Sequence, residues 1–224
     1  MLSRFRNFLK AAPRILPSVD AYALWAASYP PRAHNRLMEI EQAAMLRLLP
    51  ILADRAVLDL ACGTGRYAAI AHQRGARLVI GTDNSLPMLR GGVQACIQAH
   101  FSESHMAQLP FESHSFDVVL CGLALGHLPA DAMIKAISEI ARTLRPGGEA
   151  LISDFHPFLF LTGGQRTFTA GGTTYAVEHY PHLIADYFAA LTSAGLRITA
   201  LDEARADLRG ESVPAVLVIR CCAA

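Results

Sequence analysis

The 224 residues carry 20 Lys and Arg against 19 Asp and Glu, a formal net charge of +1. A balance of that kind builds no field strong enough to draw in nucleic acid or an anionic membrane. With 52% apolar and 17% charged residues, the chain suits one α/β domain, alone or with a small cap, and needs no disulfide staple.

The five cysteines, Cys62, Cys96, Cys121, Cys221 and Cys222, have no zinc-site spacing, so no metal is expected. An odd count without a disulfide framework suits a reducing, cytoplasmic location. The pair Cys221-Cys222 reads as small residues ending a strand. No apolar run reaches the ~18 residues of a membrane span.

In chain order, residues 1–17 mix Arg4, Arg6, Lys10 and Arg14 with Phe5, Phe8, Leu9, Ile15 and Leu16. The pattern predicts an amphipathic lead helix, because a signal peptide's unbroken apolar core is missing. A short helix over 21–28 stops at Pro30-Pro31. Residues 35–49 place Leu37, Met38, Ile40, Ala44, Met45 and Leu48 at helical spacing, and the helix ends before Pro50.

Strands are then expected over 56–60, 78–82, 116–121, 149–153, 198–202 and 215–221, with helices over 66–74, 86–99, 130–144 and 183–194. Gly91-Gly92 weakens the second of these helices by roughly 1 kcal/mol per glycine. The stretch from 100 to Pro110 reads as turns. Strands alternating with helices predict a doubly wound, mostly parallel sheet. The last two strands have no helix between them, so the final one should run antiparallel.

Residues 155–181 break the alternation. Arg166 to Val177 alternates in polarity and turns at Gly171-Gly172, a hairpin signal. This insertion follows a strand's C-terminal end, where open α/β sheets bind ligands.

The chemistry becomes specific at the first strand. Val57-Leu58-Asp59-Leu60 runs into Ala61-Cys62-Gly63-Thr64-Gly65 and a helix. Small residues there let the backbone approach a ligand at the helix N-terminus. The second strand ends in Asp83, whose carboxylate can accept ribose hydroxyls. Gly63-x-Gly65-x-x-Ala68 nearly satisfies a dinucleotide fingerprint as well. Asp59 decides against that alternative. A carboxylate before the turn repels a pyrophosphate and attracts an ammonium group.

With these residues the sequence resembles the class I S-adenosylmethionine-dependent methyltransferases, in their small-molecule branch, over about residues 22–221. Residues 57–65 are similar to that family's first motif, with Ala61 in place of its usual first glycine. Asp83-Asn84-Ser85 is similar to the second. Leu109-Pro110-Phe111 with Ser115-Phe116-Asp117-Val118-Val119, and Leu144-Arg145-Pro146-Gly147-Gly148, resemble the turns into the fourth and fifth strands.

The resemblance implies a seven-stranded sheet over 51–224 and S-adenosylmethionine as the cofactor. It implies a cofactor site of Tyr29, Asp59, Ala61, Cys62, Gly63, Gly65, Asp83, Asn84, Met88, Met106, Ala107 and Leu123. His105 stands where the family often has an acid near the adenine, so that side-chain contact is missing and the Met106 backbone is the remaining reader. Residues 22–29, Tyr-Ala-Leu-Trp-Ala-Ala-Ser-Tyr, are similar to the family's lid helix, with Tyr29 near the methionine part. Residues 1–50 are therefore expected to form part of a lid.

Methyl transfer needs a base only where the acceptor must lose a proton. Histidines after strand ends supply candidates, because they titrate near neutral pH: His127 and His156 as catalytic groups. The substrate set adds Trp25, Tyr175, His179 and His182, with the hairpin as an apolar lid.

No Asn/Asp-Pro-Pro-Tyr/Phe follows the fourth strand, where Cys121-Gly122-Leu123-Ala124 stands, and no Pro-Cys pair is present. A small, apolar or aromatic acceptor is thus expected, without nucleic acid and without a membrane span. A homodimer stays open. So do a macromolecular acceptor, a non-catalytic S-adenosylmethionine-binding module and a nicotinamide oxidoreductase. The last is opposed by Asp59 and the later strand motifs.

Overall fold

The structure is a computed structural model that describes residues 12–208 and 210–224. Seven strands form one sheet: β2 (Ala56–Leu60), β3 (Leu78–Asp83), β4 (His100–Glu103), β5 (Phe116–Gly122), β6 (Leu144–Phe155), β9 (Leu196–Leu208) and β10 (Glu211–Ala223). Their order is β4-β3-β2-β5-β6-β10-β9. β2 to β6 run parallel, and β10 is antiparallel to both β6 and β9. The predicted fold class is the observed one.

β2 lies in the middle and all five of its residues are buried. That is why it reads as an apolar run rather than an alternation. The two faces separate by residue parity. Leu58 and Leu60 pack with Val119, Cys121 and Ile152 under α5 (Ala130–Thr143) and α7 (Ile184–Ser193). Val57 packs with Val118, Leu120 and Leu151 under α2 (Arg36–Leu48) and α3 (Arg66–Gln73).

α5 buries Met133, Ala136, Ile137, Ile140 and Thr143, the i, i+3, i+4, i+7 stripe that makes a helix amphipathic. α2 opens on Asn35, whose side chain accepts from the Met38 amide at 3.0 Å and satisfies one of the free first-turn donors.

Several elements depart from expectation. The lead helix over 1–17 falls partly outside the described residues, and Arg14–Leu16 is a strand, β1, pairing parallel with β8 (Thr173–Val177). The helix over 21–28 is α1 (Ser18–Trp25) followed by a short 3-10 turn, Ala26–Ser28. The last two strands are far longer than predicted, because the polar stretch between them is itself paired.

β4 was not legible in the sequence. It is an edge strand with one inward side chain, Phe101, so it carries no readable alternation. Phe101 also explains one of the two glycines in α4 (Leu86–Ala95), Gly92, while a Cβ on Gly91 would meet the Thr64 side chain. A Cβ on Gly92 would lie 2.9 Å from the Phe101 ring, and one on Gly81 would lie 2.7 Å away. The helix accepts glycine's propensity cost because the ring occupies that space.

The insertion contains α6 (Pro157–Leu161), β7 (Thr167–Ala170) and β8 (Thr173–Val177). The predicted hairpin is present. Gly171 and Gly172 have φ of +55° and +77°, the two left-handed positions of a tight type I′ turn. With β1 the hairpin makes a second, three-stranded sheet. Ala21 of α1 packs on it with Phe168 and Val177, beside Tyr22 and Trp25. No helix among the described residues is long and apolar enough to cross a membrane.

Candidate active site

Gly65 is the N-cap of α3 at φ +75° and has no side chain to cap with. Asp59 replaces that function from the end of β2: its Oδ2 accepts from the Ala68 amide at 2.7 Å. Asp83 acts likewise at the end of β3, accepting from Gly63 N at 2.8 Å and Ser85 N at 2.9 Å. The two carboxylates thereby fix both walls of the turn. Ala61 holds φ of +55° there without being glycine, and Leu123 after β5 holds +57°. Such backbone strain concentrates where ligands are gripped.

A cleft of about 930 Å³, counted to its open mouth, lies above this turn. Of the predicted cofactor residues, Tyr29, Asp59, Ala61, Cys62, Gly63, Asp83, Asn84, Met88, Met106 and Leu123 line it. Gly65 and Ala107 do not. Gly65 lies beneath the turn against the Phe101 ring. Ala107 donates its amide to His105 Nδ1 at 3.2 Å.

Burial pushes the Asp59 carboxyl up to about 7 and raises Asp83, the latter opposed by the amides that bond it. Asp59 is 1% exposed, a buried acid whose ionised form calls for a cation. Near the position vacated by the family's adenine acid, Ser104 lines the cleft with its hydroxyl sealed and unpartnered. Both observations fit a zwitterionic nucleoside such as S-adenosylmethionine. Asp59 could hold an ammonium, Asp83 a ribose, and Ser104 a base edge.

The opposite wall differs from expectation. His127 does line the cleft. Its Nδ1 lies 2.9 Å from the Glu178 carbonyl, which can only accept, so Nδ1 carries the proton. Nε2 then accepts from Tyr22 OH at 3.0 Å. Burial first, and the charge of Arg166 second, push His127 down to about 4. His156 is not in the cleft: its Nδ1 caps α6 by accepting from Phe158 N at 3.2 Å, and its Nε2 bonds Glu203 at 2.8 Å.

His182 is bound to the Leu128 carbonyl at 2.9 Å and is also outside the cleft. Tyr175 lies behind Phe168, with ring centroids 5.5 Å apart, and Trp25 stacks on Phe168 at 4.8 Å. His179 stacks on Phe160 at 3.6 Å and stands beside His127. Its ring fills the space a side chain on Gly126 would need: a Cβ there would lie 2.1 Å from His179 Cε1.

Sequence reasoning missed Glu41 and Arg166, while it placed Asp154 in a structural or orienting role. Glu41, fully buried on α2, accepts from Tyr67 OH at 2.7 Å and Ser153 Oγ at 2.6 Å and faces Arg66 at 2.8 Å. It ties α2 to α3 and β6 beneath the cleft. Asp154, 3% exposed, accepts from Gly126 N, Phe155 N and Tyr187 OH, a bracing role rather than a chemical one. Arg166, at the start of the hairpin, lines the cleft.

Residues 57–148 match the sequence profile of a family described as "Methyltransferase domain". A malonyl-[acyl-carrier protein] O-methyltransferase of Enterobacter lignolyticus is 29% identical over 205 residues, 88% of this chain and 72% of its own length. A demethylmenaquinone methyltransferase of Lactiplantibacillus plantarum is 39% identical over 99 residues, 41% of each chain. Several curated relatives are matched over only 41–49% of their length, so this chain spans about half of them.

Among solved structures, the N-methyltransferase NodS of Bradyrhizobium japonicum, in complex with S-adenosyl-L-homocysteine, superposes with a TM-score of 0.74. It is 14% identical and is covered over 93% of this chain and 99% of its own. Residues 57–148 thus match a methyltransferase domain, and the fold is the one shared with the N-methyltransferase NodS.

Proposed function

We propose that this chain transfers a methyl group from S-adenosylmethionine to an O, N or C centre of a small, apolar or aromatic metabolite. The observation that carries it is Asp59, a buried carboxylate in the cleft with no ion-pair partner among the described residues, the nearby Arg66 being paired with Glu41. When bound, S-adenosylmethionine supplies a methyl group on a positively charged sulfur whose leaving group is already activated.

The chain's own residues then have separable tasks. Asp59 holds an ammonium and Asp83 a ribose, while Leu123 and Met106 border the adenosine. α1 and the small sheet serve as a lid that excludes water through Tyr22 and Tyr29. His127, held near 4, is a poor proton acceptor at neutral pH, since an efficient base titrates near the working pH. Its part is to orient an acceptor through Tyr22 rather than to deprotonate it. That suits an acceptor atom that is nucleophilic without losing a proton.

The relatives act on different acceptors by name, a malonyl-[acyl-carrier protein] and demethylmenaquinone. They support a small or carried acceptor here without choosing one. Titration calorimetry tests the reading. S-adenosylhomocysteine should bind the wild-type protein and the nicotinamide dinucleotides should not. The reverse preference would refute it.

A further inference from the structure

Among the described residues no carboxylate forms an ion pair with Arg166. It is half-buried, and its Nη1 is sealed from solvent with no hydrogen-bond partner among the described residues. Its Nη2 donates to Tyr29 OH at 3.2 Å. Its other neighbours are aromatic faces: Tyr22 and Phe155 at 5.3 Å and Trp25 at 5.7 Å from the guanidinium carbon. Cation–π contacts offset part of the desolvation cost but leave the planar fork free for an anion.

The undescribed residues, 1–11 and 209, contain no Asp or Glu that could serve as its partner. Arg66, the other guanidinium in the cleft, is by contrast matched by Glu41.

One more nitrogen near Arg166 is in the same state: among the described residues, His179 Nδ1 is buried and without a partner. Burial first, then the neighbouring His127 and the charge of Arg166, push His179 below its ordinary range. Buried donors are normally satisfied, so an orphan guanidinium nitrogen beside a second orphan nitrogen marks the place of a missing acceptor.

The position of Arg166 indicates what brings that acceptor. It lines the cleft and also a neighbouring open cavity of about 1070 Å³, counted to its mouth, walled mainly by Trp25, Leu37, Phe155, Leu159 and Phe160, with Arg36 and Gln165 among its polar residues. A cofactor seated on Asp59 and Asp83 has no use for an apolar chamber on the far side of Arg166. A second molecule with an apolar body does.

We infer that the methyl acceptor is a carboxylic acid with an apolar body, its carboxylate held by Arg166 and its body lodged in the neighbouring cavity. This rests on the methyltransferase reading above. Lifting the cation's isolation is the binding event, and no proton needs to move.

The test uses the full chain loaded with S-adenosylhomocysteine and titrated with octanoate and 4-phenylbutyrate, each against its neutral amide. Acids should bind at least about tenfold tighter than amides, the usual size of a charge-assisted pair. Arg166→Met should abolish that preference while leaving the S-adenosylhomocysteine affinity within about threefold. Arg166→Lys should keep a reduced preference, because it keeps the charge and loses the fork.

Equal affinity of the wild-type protein for acids and amides overturns the inference. So does an Arg166→Met protein of unchanged melting temperature that binds S-adenosylhomocysteine more than tenfold weaker, because the cation then serves the cofactor's own carboxylate. If the wild-type protein binds no S-adenosylhomocysteine, the methyltransferase reading falls. The acid-amide comparison on the ligand-free chain then still decides the role of Arg166.

Discussion

Around Asp59 and Asp83 the carboxylates are engaged by backbone amides, whereas around Arg166 two nitrogen atoms, Arg166 Nη1 and His179 Nδ1, have no partner among the described residues. The carboxylates of the first wall are braced before anything binds: they cap a helix and hold a turn while keeping spare lone pairs for a ligand, although the Thr82, Ser85 and Ser104 hydroxyls beside them are also unpartnered among the described residues. The second wall is complete only with a guest. A site can therefore be rigid toward a shared cofactor and still leave its selectivity to a side whose charges are unsatisfied.

Four variants or conditions would break or sharpen that contrast. Asp83→Ala removes the acceptor of two turn amides together with the expected ribose contact, and should weaken S-adenosylhomocysteine by roughly 1.5–3 kcal/mol. Calorimetry giving an unchanged dissociation constant would take Asp83 out of the site.

Gly126→Ala drives a methyl into His179 and should lower unfolding stability by roughly 1–3 kcal/mol in urea, with cofactor affinity kept. A matching loss of affinity would show that the two walls are one unit.

The third is pH. The folded Asp59 carboxyl keeps its proton up to about 7, against 3.8 for the free group. Stability from this group is thus full below the unfolded value and is lost as pH rises through the folded one. Cofactor binding should show the opposite slope. An ammonium favours the ionised form, so affinity should rise by up to about tenfold per pH unit toward neutrality and flatten above it. A flat profile between pH 5 and about 8 would separate Asp59 from the ammonium.

The smallest effect belongs to Ala61→Gly. It relieves a left-handed backbone and should stabilise the protein by about 0.5–1 kcal/mol in a thermal melt. A loss of stability would mean that the Ala61 methyl contributes packing the turn requires.

The same contrast governs what could be read in advance. Strand β2, the glycine turn and Asp83 lie close together in sequence, and their spacing carries their chemistry. The other wall is assembled from residues far apart in the chain. His156 and His182 follow strand ends and so look available for catalysis, but their partners, Glu203 and the Leu128 carbonyl, lie on other elements. Arg166 looks like one more polar residue in an alternating hairpin. Its significance is the acid it lacks, and only the folded surroundings reveal that. β4 escaped for another reason, since an edge strand with a single inward ring has no period to detect.

The pairing of β1 with β8 also sets an order in time. β1 precedes Asp59 and Asp83 in the sequence, whereas its partner, Thr173–Val177, follows them. During synthesis the strands and turns that carry Asp59 and Asp83 exist before the small sheet can close. Domains grow from the N-terminus outward, yet here the first described strand must wait for one of the later ones. The nascent protein thus completes the turns that carry Asp59 and Asp83 before the small sheet.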